Sequence, residues 1–303
     1  MRFLCFHLFI LLASVLPAQT FVSFLELNRK AEAAVSERPL DEAEVQFYLR
    51  EGMMVVEATV NQQTGHFIID TGAPTLVLNQ RPTSDQITTG RGISQSLAAE
   101  PIEVEQFHWS GLSKSNFTAY RLDISHLESS FGQPLAGIIG YDILKEVTIT
   151  VDHDRRTLRL RPLRKAPKAK ERPLVTIPFT MQGHLPVIRV KIGKRRLNLA
   201  LDTASESNIL SKKAARRLDR SFMSNWRSGE MQGIDQLTQL VSVADVNQTR
   251  LRKLSLETMP YWFLDLTHLE KNGLHIDGLL GYPFFRQHRV SINYREQKIY
   301  IYP

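Results

Sequence analysis

The chain has 303 residues, 43% of them apolar and 23% charged, which allows two medium domains and excludes a disordered or fibrous protein. Its formal charge of +7 sits largely in two short blocks, residues 161–172 and 212–220. Neither block interleaves basic and aromatic residues as a single-strand nucleic-acid groove does, so the charge reads as solvated surface and no nucleic-acid partner is expected.

Residues 1–18 read as an export signal. Arg2 supplies the positive end, residues 3–16 form an apolar stretch too short to span a bilayer, and Ala18 offers a small residue for cleavage. The only cysteine, Cys5, falls inside that segment, so the mature chain is expected to lack thiols and disulfides. This suits a bacterial periplasm or cell surface, and no later stretch is apolar enough to span a membrane. Residues 19–43 form an N-terminal segment whose role the sequence leaves open.

The next elements recur. Residues 55–60 and 67–72 (Val-Val-Glu-Ala-Thr-Val, then Phe-Ile-Ile-Asp-Thr-Gly) are echoed without a gap by residues 187–192 and 199–204 (Val-Ile-Arg-Val-Lys-Ile, then Leu-Ala-Leu-Asp-Thr-Ala), 132 positions on. Phe47 and Phe179 extend the match. Gly92-Ile93-Ser94-Gln95 returns as Gly233-Ile234-Asp235-Gln236. Leu122-Asp123 through Glu128 returns as Leu264-Asp265 through Glu270, and Gly137-Ile138-Ile139-Gly140-Tyr141 as Gly278-Leu279-Leu280-Gly281-Tyr282. Several pairs in one order indicate a duplicated domain. Each copy closes on an alternating, strand-like run, residues 147–160 and 290–302.

Runs of β-branched and aromatic residues bounded by Gly, Pro, Asn and Gln make both copies β. Residues 164–173, rich in charge and proline, read as a basic linker between a first lobe at 44–163 and a second at 174–303. Residues 211–218 predict a helix with Ser211 as its cap and no counterpart in the first copy. His126 and His268 recur without a compact metal-ligand array, so they read as a duplicated structural turn, and no metal is expected. Trp109, Trp226 and Trp262 read as core or pocket walls.

Apolar-apolar-Asp-Thr-Gly-Ala, followed some 65–75 residues later by apolar-apolar-Gly, is similar to the signature of the aspartic proteases. Residues 67–79 look especially like bacterial retropepsin-like members, and the resemblance covers about residues 44–303. It implies a mostly β fold of two tandem acid-protease barrels related by a pseudo-two-fold axis, in a monomer. It makes Asp70 and Asp202 the catalytic pair, and Thr71, Gly72, Thr203, Ala204 and Ser205 their support. Thr71 and Thr203 would bond across the axis. Ile138, Ile139, Gly140, Leu279, Leu280 and Gly281 would pack beneath the two loops. Gly92, Ile93, Gly233 and Ile234 fall where the family places its flaps.

The chemistry fits two carboxylates. Hydrolysis without a nucleophilic side chain needs a base for water and an acid for the substrate, and two close carboxyls sharing one proton supply both. The implied activity is aspartic-type endopeptidase acting on a peptide or protein, with no cofactor. The second triplet departs from the pattern, ending in Ala204 where the family has glycine. A positive φ there would strain the loop by about 1–2 kcal/mol, and the methyl is expected to crowd the carboxylate, to which Ser205 is placed to hydrogen-bond. Ala204 thus keeps open a non-catalytic module that binds peptides or a protein partner in the same cleft. A third arrangement has lobes that pair with those of another chain.

Overall fold

The computed structural model describes residues 42–83, 88–91, 96–163, 171–232, 238–271 and 273–303. The export segment 1–18, nearly all of residues 19–43, most of the 164–173 linker and the flap positions Gly92, Ile93, Gly233 and Ile234 lie outside the described residues. The fold is mostly β and contains a closed six-stranded barrel. Among the described residues no helix is long and apolar enough to cross a membrane.

The first part of the chain runs through β1 (Ala43–Gln46), β2 (Tyr48–Arg50), β3 (Met53–Val60), β4 (Gln63–Ile69) and β5 (Val77–Asn79). It continues through β6 (Thr88–Arg91), β7 (Ser96–Trp109), β8 (Leu112–Leu122), β9 (Gly137–Ile139), β10 (Val147–Asp152) and β11 (Thr157–Pro162). The second part holds β12 (Val175–Gln182), β13 (Leu185–Ile192), β14 (Arg195–Leu201), β15 (Asn208–Ser211), β16 (Met223–Gln232) and β17 (Thr238–Val246). It ends with β18 (Thr249–Leu251), β19 (Leu254–Ser255), β20 (Met259–Leu264), β21 (Gly278–Leu280), β22 (Arg289–Asn293) and β23 (Lys298–Tyr302).

Burial explains the strand sequences. In both β3 and β13 the first four residues are buried on both faces, and outward Glu57 and Arg189 follow where one face meets solvent. The pairings around the two triplets also match. Strand β4 lies parallel to β9 and β14 parallel to β21, and β5 and β15 each bridge the next strands in the same way. The first ring, β3-β4-β9-β5-β8-β7, closes where Thr59 pairs with His108 and Val60 with Phe107. Its counterpart returns through the short β18, where Lys191 faces Arg250 and Ile192 faces Thr249. The long β7 thus corresponds to two strands, β17 and β18, interrupted at Asn247-Gln248, where Gln248 takes φ +57°.

The expected terminal runs are hairpins rather than single strands: β10–β11 and β22–β23 turn at Arg156 (φ +54°) and Gln297 (φ +51°). These hairpins meet. β10 pairs with β22, giving the order β1-β11-β10-β22-β23-β12, six strands drawn from both parts of the chain. At its centre the Thr150 and Ser291 hydroxyls lie 2.6 Å apart and buried. The largest apolar cluster runs continuously from strands of the first and second parts of the chain through this sheet.

Smaller expectations resolve locally. Ser211 does cap a helix, accepting from the Ala214 amide at 3.0 Å, but the helix spans only Lys212–Ala215. The turns holding His126 and His268 repeat one device: Asp123 accepts from the Ser125 amide and hydroxyl, and Asp265 from those of Thr267. Trp109 and Trp262 are buried, whereas Trp226 is 54% exposed and stacks on Phe263, so it walls no core.

Candidate active site

Each Asp-Thr triplet leaves the end of a buried strand, β4 or β14, and is held from below by the parallel partner. The Asp70 amide donates to the Ile139 carbonyl and the Asp202 amide to that of Leu280, both at 3.0 Å. Behind each partner a glycine lets the loop cross. A Cβ at Gly140 would lie 2.3 Å from the Thr75 carbonyl oxygen, and one at Gly281 2.4 Å from that of Ser205. The next amides, of Tyr141 and Tyr282, donate back to Ala73 and Ser205 at 2.8 Å. Ile138, Ile139, Leu279 and Leu280 are fully buried.

The tyrosines pack against rings from the other part of the chain. The Tyr282 ring packs edge-on against His153 at 5.2 Å, which packs on Phe47 at 5.5 Å; Tyr141 packs on Tyr294 at 5.2 Å, which packs on Phe179 at 5.9 Å. Burial pushes His153 down to about 4, so it stays neutral there.

The two loops bond to each other through their threonines. Thr71 Oγ1 donates to the Leu201 carbonyl and Thr203 Oγ1 to that of Ile69, both at 2.9 Å. Each hydroxyl also accepts from the other threonine's amide at 3.1 Å. Four buried bonds therefore satisfy both hydroxyls, both threonine amides and the Ile69 and Leu201 carbonyls.

Asp70 and Asp202 are both fully buried and within hydrogen-bonding reach of each other. Asp70 Oδ1 accepts from the Gly72 amide at 2.6 Å, and Asp202 Oδ1 from the Ala204 amide at 3.0 Å. Among the described residues no other group donates to either Oδ2, so a bond between the carboxyls requires a shared proton. Burial, then the Asp202 charge, holds Asp70 well above the usual carboxylate range. Burial likewise pushes Asp202 up to about 6, opposed by the Ala204 amide. The pair titrates as a unit.

The second loop settles one conditional reading and corrects one expectation. Ala204 does not have a positive φ, so no strain of that kind arises; its methyl belongs to an apolar cluster with Met53, Val55, Ile68, Ala73 and Val77. The Ser205 hydroxyl donates to the Ser207 carbonyl at 2.6 Å, not to the carboxylate; only the Ser205 amide favours the charged form of Asp202. Gly72 is the tight position: a Cβ there would lie 2.9 Å from Asp202 Oδ2 and 3.0 Å from Asp70 Oδ1.

Sequence reasoning missed His184 and Glu206. His184 Nε2 lies 2.6 Å from the Gly72 carbonyl oxygen, and burial pushes the imidazole down to about 4. Glu206 is pushed up to about 9 by burial and by the nearby charge of Glu51. The 132-residue offset was the available signal. It sets His184 where the first copy has Gly52, and Glu206 where it has Pro74.

A family model described as aspartyl protease matches residues 188–284, a span that includes Asp202 and excludes Asp70. The match supports the aspartic-protease family and suggests a protease function. No curated protein matches the chain.

Proposed function

We propose that the chain is an aspartic-type endopeptidase built of two tandem lobes related by a pseudo-two-fold axis, with Asp70 and Asp202 as its dyad. The observation that carries this reading is a pair of fully buried carboxyls within reach of each other, held by reciprocal threonine bonds from the two loops. Two such groups do not both ionise cheaply, so one keeps a proton and serves as acid while the other takes a proton from water. The water adds to the peptide carbonyl, and the protonated carboxyl passes its hydrogen toward the substrate. The substrate is an extended peptide lying between the lobes, and the residues 1–18 direct the protein out of the cytoplasm of a bacterium.

The singly protonated pair is the working form, so kcat/KM is expected to rise through about pH 6 as the first proton leaves. Below that pH both carboxyls are protonated and no base remains. The test incubates mature protein with a denatured protein or a peptide library from acidic to neutral pH, beside Asp70→Asn and Asp202→Asn. Cleavage by wild type alone supports the reading; cleavage that survives both substitutions, or none at any pH, removes it. In the latter case, retained peptide binding would select the non-catalytic module.

A further inference from the structure

The peptide unit between Gly72 and Ala73 stands between two side chains. Its carbonyl oxygen lies 2.6 Å from His184 Nε2, and its N–H, that of Ala73, faces the Asp70 carboxyl and favours the charged form. A carbonyl only accepts, so Nε2 carries the hydrogen and Nδ1 is bare in the neutral ring. His184 comes from the turn between β12 and β13, on the barrel opposite Asp70. The path is continuous: imidazole N–H to carbonyl, across one amide, then amide N–H to carboxylate.

A donor on a carbonyl draws electron density toward the oxygen and makes the same amide's N–H a stronger donor, as hydrogen bonds in series polarise one another. It also fixes the plane of the peptide. The Asp202 loop lacks this partner, because the turn facing it has Gly52 where this one has His184. Gly52 has no side chain to offer: it takes φ +76°, and a Cβ there would meet the Tyr282 ring at 3.2 Å.

We propose that His184 is a positioning residue for the dyad: by donating to the Gly72 carbonyl it turns and polarises the Gly72–Ala73 peptide toward Asp70. The inference rests on the proposed function, but acts on a quantity that is measurable without it. Loss of the donor weakens the support for a charged Asp70, the carboxyl that keeps its proton longer, so the second ionisation of the dyad moves to higher pH. The titratable groups acting on Asp70 are Asp202 and Tyr294, and burial keeps Tyr294 protonated throughout. His184 itself stays neutral above about pH 4, so it remains a single-hydrogen donor across the range where the dyad titrates.

The experiment follows the aspartate carboxyl carbons of mature protein by NMR through a pH titration, in wild type, His184→Phe and His184→Gln. Phe keeps an apolar ring and removes the donor; Gln restores an N–H of similar reach. The second dyad titration is expected about half a pH unit to one higher in His184→Phe and near wild type in His184→Gln. The alkaline limb of kcat/KM should move by the same amount, with kcat lowered about tenfold and KM nearly unchanged. An unmoved dyad in folded His184→Phe, or a Gln variant that behaves like Phe, overturns the proposal. So does a wild-type imidazole whose nitrogen signals put the hydrogen on Nδ1, a reading that needs no variant to fold. If wild type cleaves no peptide, the endopeptidase reading fails while the titration still decides the role of His184.

Discussion

The loop that carries Asp70 and the loop that carries Asp202 agree wherever backbone or threonine makes the contact. They part in the side chains around them. The strand partners, the crossing glycines and the four threonine bonds correspond one for one. Gly72 against Ala204, Pro74 against Glu206, and the facing turns at Gly52 and His184 do not. The scaffold of the pair is therefore symmetric while its surroundings are not, and each substitution below is a way to shift one side without the other.

The largest effect belongs to position 72. Gly72→Ala sets a methyl 2.9 Å from Asp202 Oδ2, closer than real Cβ atoms sit, so a carboxyl must move. Because a misplacement well under 1 Å is costly in catalysis, kcat/KM is expected to fall by about a hundredfold. Ala204→Gly removes a methyl that the structure already accommodates and should change kcat/KM by no more than about threefold. Peptide-cleavage assays on both variants decide the matter, and equal effects would erase the asymmetry claimed for the two loops.

The threonines should behave alike. Thr71→Val and Thr203→Val each leave one buried carbonyl and one buried amide without a partner, at about 2–4 kcal/mol. Urea unfolding of the two variants is expected to give equal losses within about 0.5 kcal/mol. A twofold difference would show that one loop holds the other.

Much of this architecture is legible in the sequence because backbone demands leave residue-type traces. An apolar run, Asp-Thr, and a distant apolar-apolar-Gly record a buried strand, a crossing loop and a close approach, and the last needs glycine at 140 and 281. What is illegible lies between copies. Ser205 seemed placed for the carboxylate, yet its hydroxyl finds the Ser207 carbonyl in its own loop, a choice that only loop conformation decides. The strain at Ala204 stayed conditional because φ cannot be read from residue type. His184 and Glu206 drew no reading, since the burial of a turn residue leaves no periodic signal.

Glu206 gives a test of the asymmetry through pH. An ordinary glutamate in the unfolded chain titrates near 4.5, while burial and Glu51 push Glu206 up to about 9 in the folded protein. Between those values the unfolded state binds fewer protons at this site, so its contribution to stability is fully present below about pH 4.5 and is lost as pH rises toward 9. Glu206→Gln removes that loss. Scanning calorimetry should find the variant about 1–3 kcal/mol more stable than wild type near pH 8 and indistinguishable near pH 4. A constant difference at both pH values would mean that Glu206 is charged when folded.

The smallest expected effect distinguishes the two places where the first and second parts of the chain are stitched together. In the loops, hydroxyls satisfy backbone groups that have no other partner; in the central sheet, Thr150 and Ser291 satisfy only each other, 2.6 Å apart between β10 and β22. Removing one sheet hydroxyl strands its neighbour in an apolar layer, so Thr150→Val or Ser291→Ala alone should cost about 1–2 kcal/mol. Removing both strands nothing, because the strands keep their ladder and Ile149, Val151, Val290 and Ile292 stay buried around them. The double variant is then expected to lie closer to wild type than the sum of the singles, with a coupling of about 1 kcal/mol by urea unfolding. The same cycle on Thr71 and Thr203 should show no such recovery, since four backbone partners remain unmet. Recovery in the loops as well would mean that the threonines hold each other rather than the two chains of backbone on which the dyad stands.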